Sequence, residues 1–358
     1  MTDAVVLISV TFASALLTGA LYKYALARQV LDVPNERSAH TIPTPRGGGV
    51  AIVVSFIGTL LLLGARGLVS PPTVAALGGA GAVVALLGFI DDHRPLHPGW
   101  RLLAHFVAAA WGLAWLGGLA PLSVGRTVLH LGWAGHALAM VALVWLLNLY
   151  NFMDGIDGLA GLETVTASLV LAALSWIRGG DDIMLPATLG AASLGFLAWN
   201  WPPARIFMGD AGSGFLGLMI GLLAIRAGHG DPTMFWVWLI LLGVFTMDAT
   251  VTLLQRVHRR ERASQAHSDH AYQHAARRHG HRSVTVAVGA ITLFWLAPIA
   301  LLVVIDHLPG AVALLIACAP LVWLAIRLKS PTLPRSARVT APISVSINEA
   351  ATPGGPSE

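Results

Sequence analysis

Long apolar runs alternate with short polar segments from one end of this chain to the other. That alternation limits its folds more than any other feature. Runs such as Val74–Ile90, Leu159–Ile177 and Val284–Ile305 carry almost no charge. Inside a bilayer each backbone N–H and C=O must be satisfied within its own segment, so runs of this kind cross as helices. Eleven spans are expected: roughly Ala4–Tyr22, Gly48–Leu63, Val74–Ile90, Leu102–Leu119, Trp133–Leu149, Leu159–Ile177, Leu185–Trp199, Gly212–Ile225, Thr233–Leu254, Val284–Ile305 and Ala311–Ile326. Several fall short of the ~20 residues a straight crossing needs. Composition agrees, with 56% hydrophobic and 11% charged residues against about 25% charged in soluble domains. The fold class is therefore all-α, a polytopic integral membrane protein.

The basic residues then sort by side. Segments after the odd-numbered spans, with the C-terminal tail, hold eighteen Lys and Arg; the other side holds Arg66, Arg126, Arg178 and Arg226. The positive-inside rule puts the first group in the cytoplasm, with the N-terminus outside and the C-terminus inside. The net charge of +4 is explained by these loops and gives no reason to expect nucleic acid. Residues 1–328 read as one transmembrane domain, and 329–358, rich in Pro, Ser, Thr and Gly, as a disordered cytoplasmic tail. The lone Cys318 excludes a disulfide framework and a Cys-based metal site. The first run lacks a basic n-region and a cleavage site, so it is expected to be a retained helix.

Every unusual polar cluster falls on the expected cytoplasmic side. In Leu31–Gly49, prolines enforce an extended path, and Arg37, His40 and Arg46 suit an anionic partner; a rigid solvated loop is the alternative. Asp91-Asp92 ends a span, where negative charge opposes the helix dipole. That placement favours a metal, a cationic partner or proton transfer over a merely hydrated pair. Asn148–Gly161 carries Asn148, Asn151, Asp154 and Asp157, with a glycine after each Asp that lets the backbone approach a ligand. Gly209-Asp-Ala-Gly-Ser-Gly214 opens a helix, where backbone N–H groups suit a phosphate and Asp210 offers a hard oxygen to Mg²⁺. The segment 255–283 holds six histidines and seven arginines. No carboxylate or cysteine stands at a zinc spacing there, so contacts to a diphosphate fit better. The alternative is a basic amphipathic loop on anionic lipid.

Carboxylates that bind Mg²⁺ leave positions for substrate phosphates, so the clusters point to phosphoryl chemistry on a charged cytosolic donor. An acceptor resident in the bilayer would explain the setting. The alternative from another class is a secondary transporter of an anionic solute. That reading expects charge near the midplane on broken helices and an inverted repeat, and the sequence displays neither.

Asp91-Asp92, Asn151-x-x-Asp-Gly-x-Asp-Gly158, Phe207-Met-Gly-Asp-x-Gly-Ser213 and a His-containing loop occur together, in this order, in one family. Over roughly residues 1–328 the chain resembles the polyprenyl-phosphate N-acetylhexosamine-1-phosphate transferases. The resemblance implies transfer of a sugar 1-phosphate from a UDP-N-acetylhexosamine to undecaprenyl phosphate, release of UMP, and Mg²⁺ or Mn²⁺ as cofactor. It implies Asp210 and Asn151 as the metal pair, and Asp154 and Asp157 as substrate-site carboxylates. Asp91 and Asp92 would act on the lipid phosphate, with Arg101 near it. Asn200 and Phe207 would hold the uridine, with Arg37, His40 and Arg46 also at the substrate, and His267 and His270 would carry the role of the histidine loop. A homodimer is compatible with it. Two departures stand out: Arg37 is followed by Ser where many members have Lys, and the loop reads His267-Ser-Asp-His270-Ala-Tyr-Gln rather than three histidines. That last form is more like the O-antigen-initiating branch, which implies a donor without a peptide.

Overall fold

A computed structural model describes residues 2–34, 42–125, 127–180, 183–259 and 269–329. It is a bundle of fourteen α-helices among the described residues, with a helix at each of the eleven expected spans. They are α1 (Asp3–Arg28), α2 (Val50–Ala65), α3 (Pro71–His93), α4 (Pro98–Leu116), α5 (Gly132–Met153), α6 (Leu159–Ile177), α7 (Met184–Asn200), α8 (Asp210–Gly230), α9 (Pro232–Leu241), α10 (Gly243–His258), α11 (Ala271–His279), α12 (His281–Ile291), α13 (Ala297–Val304) and α14 (Gly310–Lys329). Two small antiparallel ribbons complete it, Leu31–Asp32 with Thr44–Pro45 and Leu122–Val124 with Thr127–Leu129.

Seven helical segments are long and apolar enough to cross a bilayer, and a bent pair makes an eighth. The chain is thus a multi-span membrane protein. The ninth expected span is that pair: α9 and α10 meet at Leu242 with a bend of 67°. The tenth is interrupted by a π-turn at Thr292–Leu296, just before Pro298. A proline inside a helix removes a backbone bond, and local widening absorbs the mismatch. Part of the stretch read as a loop over 255–283 is helical: α10 reaches His258 and α11 covers Ala271–His279. The tail beyond Lys329 lies outside the described residues.

The eighth span, short in the sequence, is the axle of the bundle. Every residue of α8 from Ala211 to Ile225 is buried. It lies chiefly between α3 and α5. Glycine makes this approach workable: a Cβ on Gly217 would stand 2.6 Å from the Leu146 carbonyl oxygen. Small residues at helix interfaces let backbones meet closely in a membrane.

Strict alternation of direction brings the C-termini of α3, α5, α7 and α10 and the N-termini of α2, α4, α6, α8 and α12 to one face. At the opposite face Arg178, just after α6, ties three segments. Its guanidinium bonds Asp231 at 2.8 Å, Asp306 at 2.6 Å and the Val304 carbonyl at 2.7 Å. Asp231 also caps α9 through the Thr233 N–H.

Candidate active site

The centre is built where α3 ends and α8 begins. Asp92, in the last turn of α3, accepts the backbone N–H of Asp210 at 3.0 Å and, more loosely, of Ala211 at 3.4 Å. A carboxylate that opposes the dipole of its own helix is here set against the positive end of another. Gly209 precedes α8 at φ +78°, and a Cβ there would meet Asp92 Oδ2 at 2.5 Å, so this position requires glycine twice over. Asp92 also pairs with Arg46 and keeps only 1% of its side-chain surface exposed.

Asp210 is the hub. Asn151, in the last turn of α5, donates to its Oδ1 at 2.9 Å and to Ser213 at 3.0 Å. Arg101, at the start of α4, lies 3.1 Å from Asp210 and 2.8 Å from Asp91. Arg46 comes within 3.6 Å of Asp210. Burial works against the Arg46 cation, but Asp92 and Asp210 outweigh it and hold its pKa above the ordinary value. The Asp91 and Asp210 carboxyls also meet each other.

After α5, the segment Asp154–Gly158 turns back under the bundle. Its last residue adopts φ +74° and caps α6, and its N–H donates to Asn200 Oδ1 at 2.9 Å. The other end of the Asn200 amide donates to the Ile206 carbonyl at 2.9 Å, so Asn200 ties this turn to the 201–209 loop. Asp157 accepts the Ala204 N–H at 3.1 Å and lies 3.3 Å from His281 Nδ1, at the head of α12. Thr285 donates to the Asp157 carbonyl at 2.8 Å. Asp154 keeps some solvent contact, yet protein atoms surround it. Burial pushes its pKa well above the usual carboxylate range, and repulsion from Asp210 and Asp92 adds to that.

These groups enclose a polar cavity of about 230 Å³, open on one side. Arg46, Asn151, Asp154, Asp157, Asn200, Phe207 and Asp210 line it, with Asp32, Ser213, Gln273 and His281. A second, water-sized pocket lies behind Asp210, between Asp91, Arg101, His105, Asn148 and Asn151. Asp210 and Asn151 border both spaces.

Of the fourteen residues that the resemblance assigns to the site, ten converge here: Asp91, Asp92, Asp154, Asp157, Asn200, Phe207, Arg101, Arg46, Asp210 and Asn151. His270 does not line the cavity; it is buried at the N-cap of α11, 3.7 Å from Asp248. Arg37, His40 and His267 lie outside the described residues. The sequence reading passed over Asp32, His105, Ser213 and Gln273 as site residues, and left His281 among the histidines of a basic loop. His105 carried a usable signal, a polar ring four residues after Arg101 in an apolar run.

The centre suits a divalent cation. Asp210 and Ser213 present hard oxygens, and the Asn151 amide, which here turns its N–H toward both, carries a third; Arg101 bridges Asp91 and Asp210 and balances that pair. Six aspartates, Asp32 among them, face two arginines in this cluster of described residues. No three acidic, His or Cys side chains among the described residues form a closed cage. Mg²⁺ does not require one, because it keeps waters and takes one or two carboxylates plus substrate phosphates.

Comparison with known proteins bears on the same residues. Residues 74–228 match glycosyl transferase family 4. The chain is 30% identical over 270 residues to a Bacillus subtilis (strain 168) protein named "Probable undecaprenyl-phosphate N-acetylglucosaminyl 1-phosphate transferase", covering 72% of each chain. It is 34% identical over 229 residues to the phospho-N-acetylmuramoyl-pentapeptide-transferase of Moorella thermoacetica, covering 60% of this chain and 69% of that one. Against the decaprenyl-phosphate N-acetylglucosaminephosphotransferase of Mycobacterium tuberculosis (strain ATCC 25618 / H37Rv) it is 30% identical over 228 residues, 59% of this chain and only 56% of that one. The matched segment runs from before Asp91 to beyond Asp210 and so takes in the carboxylate centre; the chain belongs to glycosyl transferase family 4, among relatives that are polyprenyl-phosphate N-acetylhexosamine-1-phosphate transferases.

Proposed function

We propose that the protein transfers N-acetylhexosamine 1-phosphate from a UDP-sugar to undecaprenyl phosphate at the cytoplasmic face, releasing UMP. The observation that carries this reading is the pair of spaces meeting at Asp210 and Asn151. The larger suits a nucleoside diphosphate sugar, with the Phe207 ring available to stack on the base. The smaller is only water-sized as it stands; its Arg101, His105 and Asn148 mark the polar, cationic side of Asp210 from which an acceptor phosphate would have to be admitted. Asp210 with Asn151 would hold Mg²⁺, which supplies charge neutralisation on the donor diphosphate.

The chain's own residues orient two anions that repel each other. Arg46 and Arg101, already among the aspartates, provide cationic contacts on either side of Asp210. An oxygen of the lipid phosphate attacks the β-phosphorus, a new P–O bond forms, and the bond to the α-phosphate oxygen breaks, so that UMP leaves with that oxygen. The acceptor is already anionic near neutral pH, so positioning matters more than activation. Asp91, which borders the smaller space, is the carboxylate best situated to take the acceptor's last proton. Asp92, committed to Arg46 and the α8 N-terminus, positions the centre. Initiation of an O-antigen type of glycan is the finer reading, supported by the form His267-Ser-Asp-His-Ala-Tyr-Gln273.

The test is incubation of purified protein with undecaprenyl phosphate, Mg²⁺ and a panel of UDP-sugars, following UMP. Acceptor-dependent UMP release with one or more UDP-N-acetylhexosamines is expected. Stoichiometric UMP release from donor alone, with label retained on protein, would overturn the one-step scheme; no release with any donor would overturn the reading.

A further inference from the structure

We propose that Asp248, outside the cavity on α10, is a positioning residue that sets the site by fixing the start of α11; the proposal rests on the transferase reading above. The Asp248 carboxylate accepts two successive backbone N–H groups, Ala271 at 2.8 Å on Oδ1 and Tyr272 at 2.9 Å on Oδ2. Those are among the unsatisfied donors at the start of α11, so an acid from a different helix caps it. Thr252 donates to the same carboxylate at 3.2 Å, and Lys329, at the end of α14, brings its ammonium to 3.6 Å. His270 lies against it from the N-cap position. One buried carboxylate therefore joins α10, α11 and α14.

What α11 does next links this hub to the reacting region. The Tyr272 hydroxyl donates to the Phe152 carbonyl at 2.8 Å, beside Gly155, where a Cβ would approach that hydroxyl to 2.1 Å. Gln273, the following residue, lines the polar cavity. Gln273 also accepts the His270 N–H at 3.2 Å, closing a capping box at the start of α11. Past Gly280, α12 places His281 against Asp157 and Thr285 on its carbonyl. The α11–α12 pair thus clasps the 152–158 turn from both ends, and Asp248 is the anchor on its near side. A neutral amide here would keep one acceptor oxygen and satisfy only one of the two N–H groups; the carboxylate accepts both, recruits Lys329 and ties the last helix into the same arrangement. His270 serves this anchor.

The test uses the full chain in nanodiscs, with Asp248→Asn, Asp248→Ala, Lys329→Gln and Tyr272→Phe. UMP release is measured with the UDP-N-acetylhexosamine that the wild type turns over fastest, together with hydrogen exchange of residues 269–280. Asp248→Ala is expected to lower kcat about tenfold to a hundredfold, as small displacements of a reacting geometry do, with KM for the donor changed by less than about threefold. Exchange over 270–276 should accelerate, Asp248→Asn should fall between wild type and Asp248→Ala, and Lys329→Gln should follow in the same direction. Tyr272→Phe loses one hydroxyl and should lower kcat a few-fold at unchanged Tm; it keeps the proposal testable if Asp248→Ala does not fold. A kcat within about twofold of wild type in Asp248→Asn and Tyr272→Phe alike, or unchanged exchange over 270–276 in Asp248→Asn, overturns the proposal. If the wild type releases no UMP from any donor, the transferase reading falls, and the exchange comparison alone still decides what Asp248 holds.

Discussion

Asp210 takes part in more of the centre's contacts than any other single side chain. It touches Asn151, Arg46, Arg101 and Asp91, and it heads the axial helix. Asp210→Asn should therefore abolish UMP release, to below about a hundredth of the wild-type rate, while the protein still inserts and folds. Near-normal turnover across a Mg²⁺ titration, from a variant with wild-type Tm, would contradict that. Asp154 offers a prediction with a sign. Its folded pKa is raised, by burial first and by Asp210 and Asp92 next. Below the ordinary carboxylate value, near 3.9, it is neutral folded or unfolded and affects stability little. As pH climbs past that value the unfolded chain ionises first, and the wild type loses stability until the folded pKa is passed. Asn cannot ionise, so in chelator-containing buffer the Tm of Asp154→Asn should match wild type near about pH 4 and exceed it increasingly toward neutrality. An offset that stays constant with pH would count against a raised Asp154. Much of this was legible in the sequence, because Asp-Gly pairs and paired carboxylates at helix ends are expensive unless used. What was not legible was which carboxylate does structural work. Asp92 and Asp91 are neighbours in sequence, and only the packing of α3 against α8 shows that Asp92 caps a helix.

At the scale of elements, α8 carries the sharpest expectation. A methyl group on Gly217 has nowhere to go, with the Leu146 oxygen at 2.6 Å and the Leu147 Cα at 2.8 Å. Gly217→Ala should destabilise the protein by about 1–3 kcal/mol through overpacking. Gly230, with nothing within 4 Å of a Cβ, should accept alanine without loss. Comparing their Tm values in one detergent checks both; equal values would mean that α8 can shift away from α5. The sequence understated this helix because glycine dilutes hydropathy, and only the neighbours reveal that the glycines are contact points. The bend at Leu242 was hidden for a related reason. Thr233–Leu254 is apolar enough to be read as one crossing, and no proline or charge marks the break. The helix α11 was obscured by its own charge, since Arg277, Arg278 and two histidines resemble a solvated loop until Asp248 supplies the cap.

For the molecule as a whole, the basic-residue asymmetry predicts that the face bearing the site looks into the cytoplasm. The single native cysteine, Cys318, is buried, so introduced cysteines can be read against a quiet background. An impermeant thiol reagent added to intact cells should miss a cysteine at Asp269 and should label one at Gly67, on the opposite face. The reverse pattern would invert the orientation. The succession of helices was legible, since a helix stands at each expected span; how many of them cross was not, because only seven, or eight with the bent pair, are long and apolar enough, and depth and tilt depend on neighbours. At the far end Arg178 binds Asp231, Asp306 and the Val304 carbonyl together. The bundle therefore resembles a pair of tongs. The rivet is at the end away from the chemistry, and the jaws are helix ends joined by charges that a phosphate or a cation can compete for.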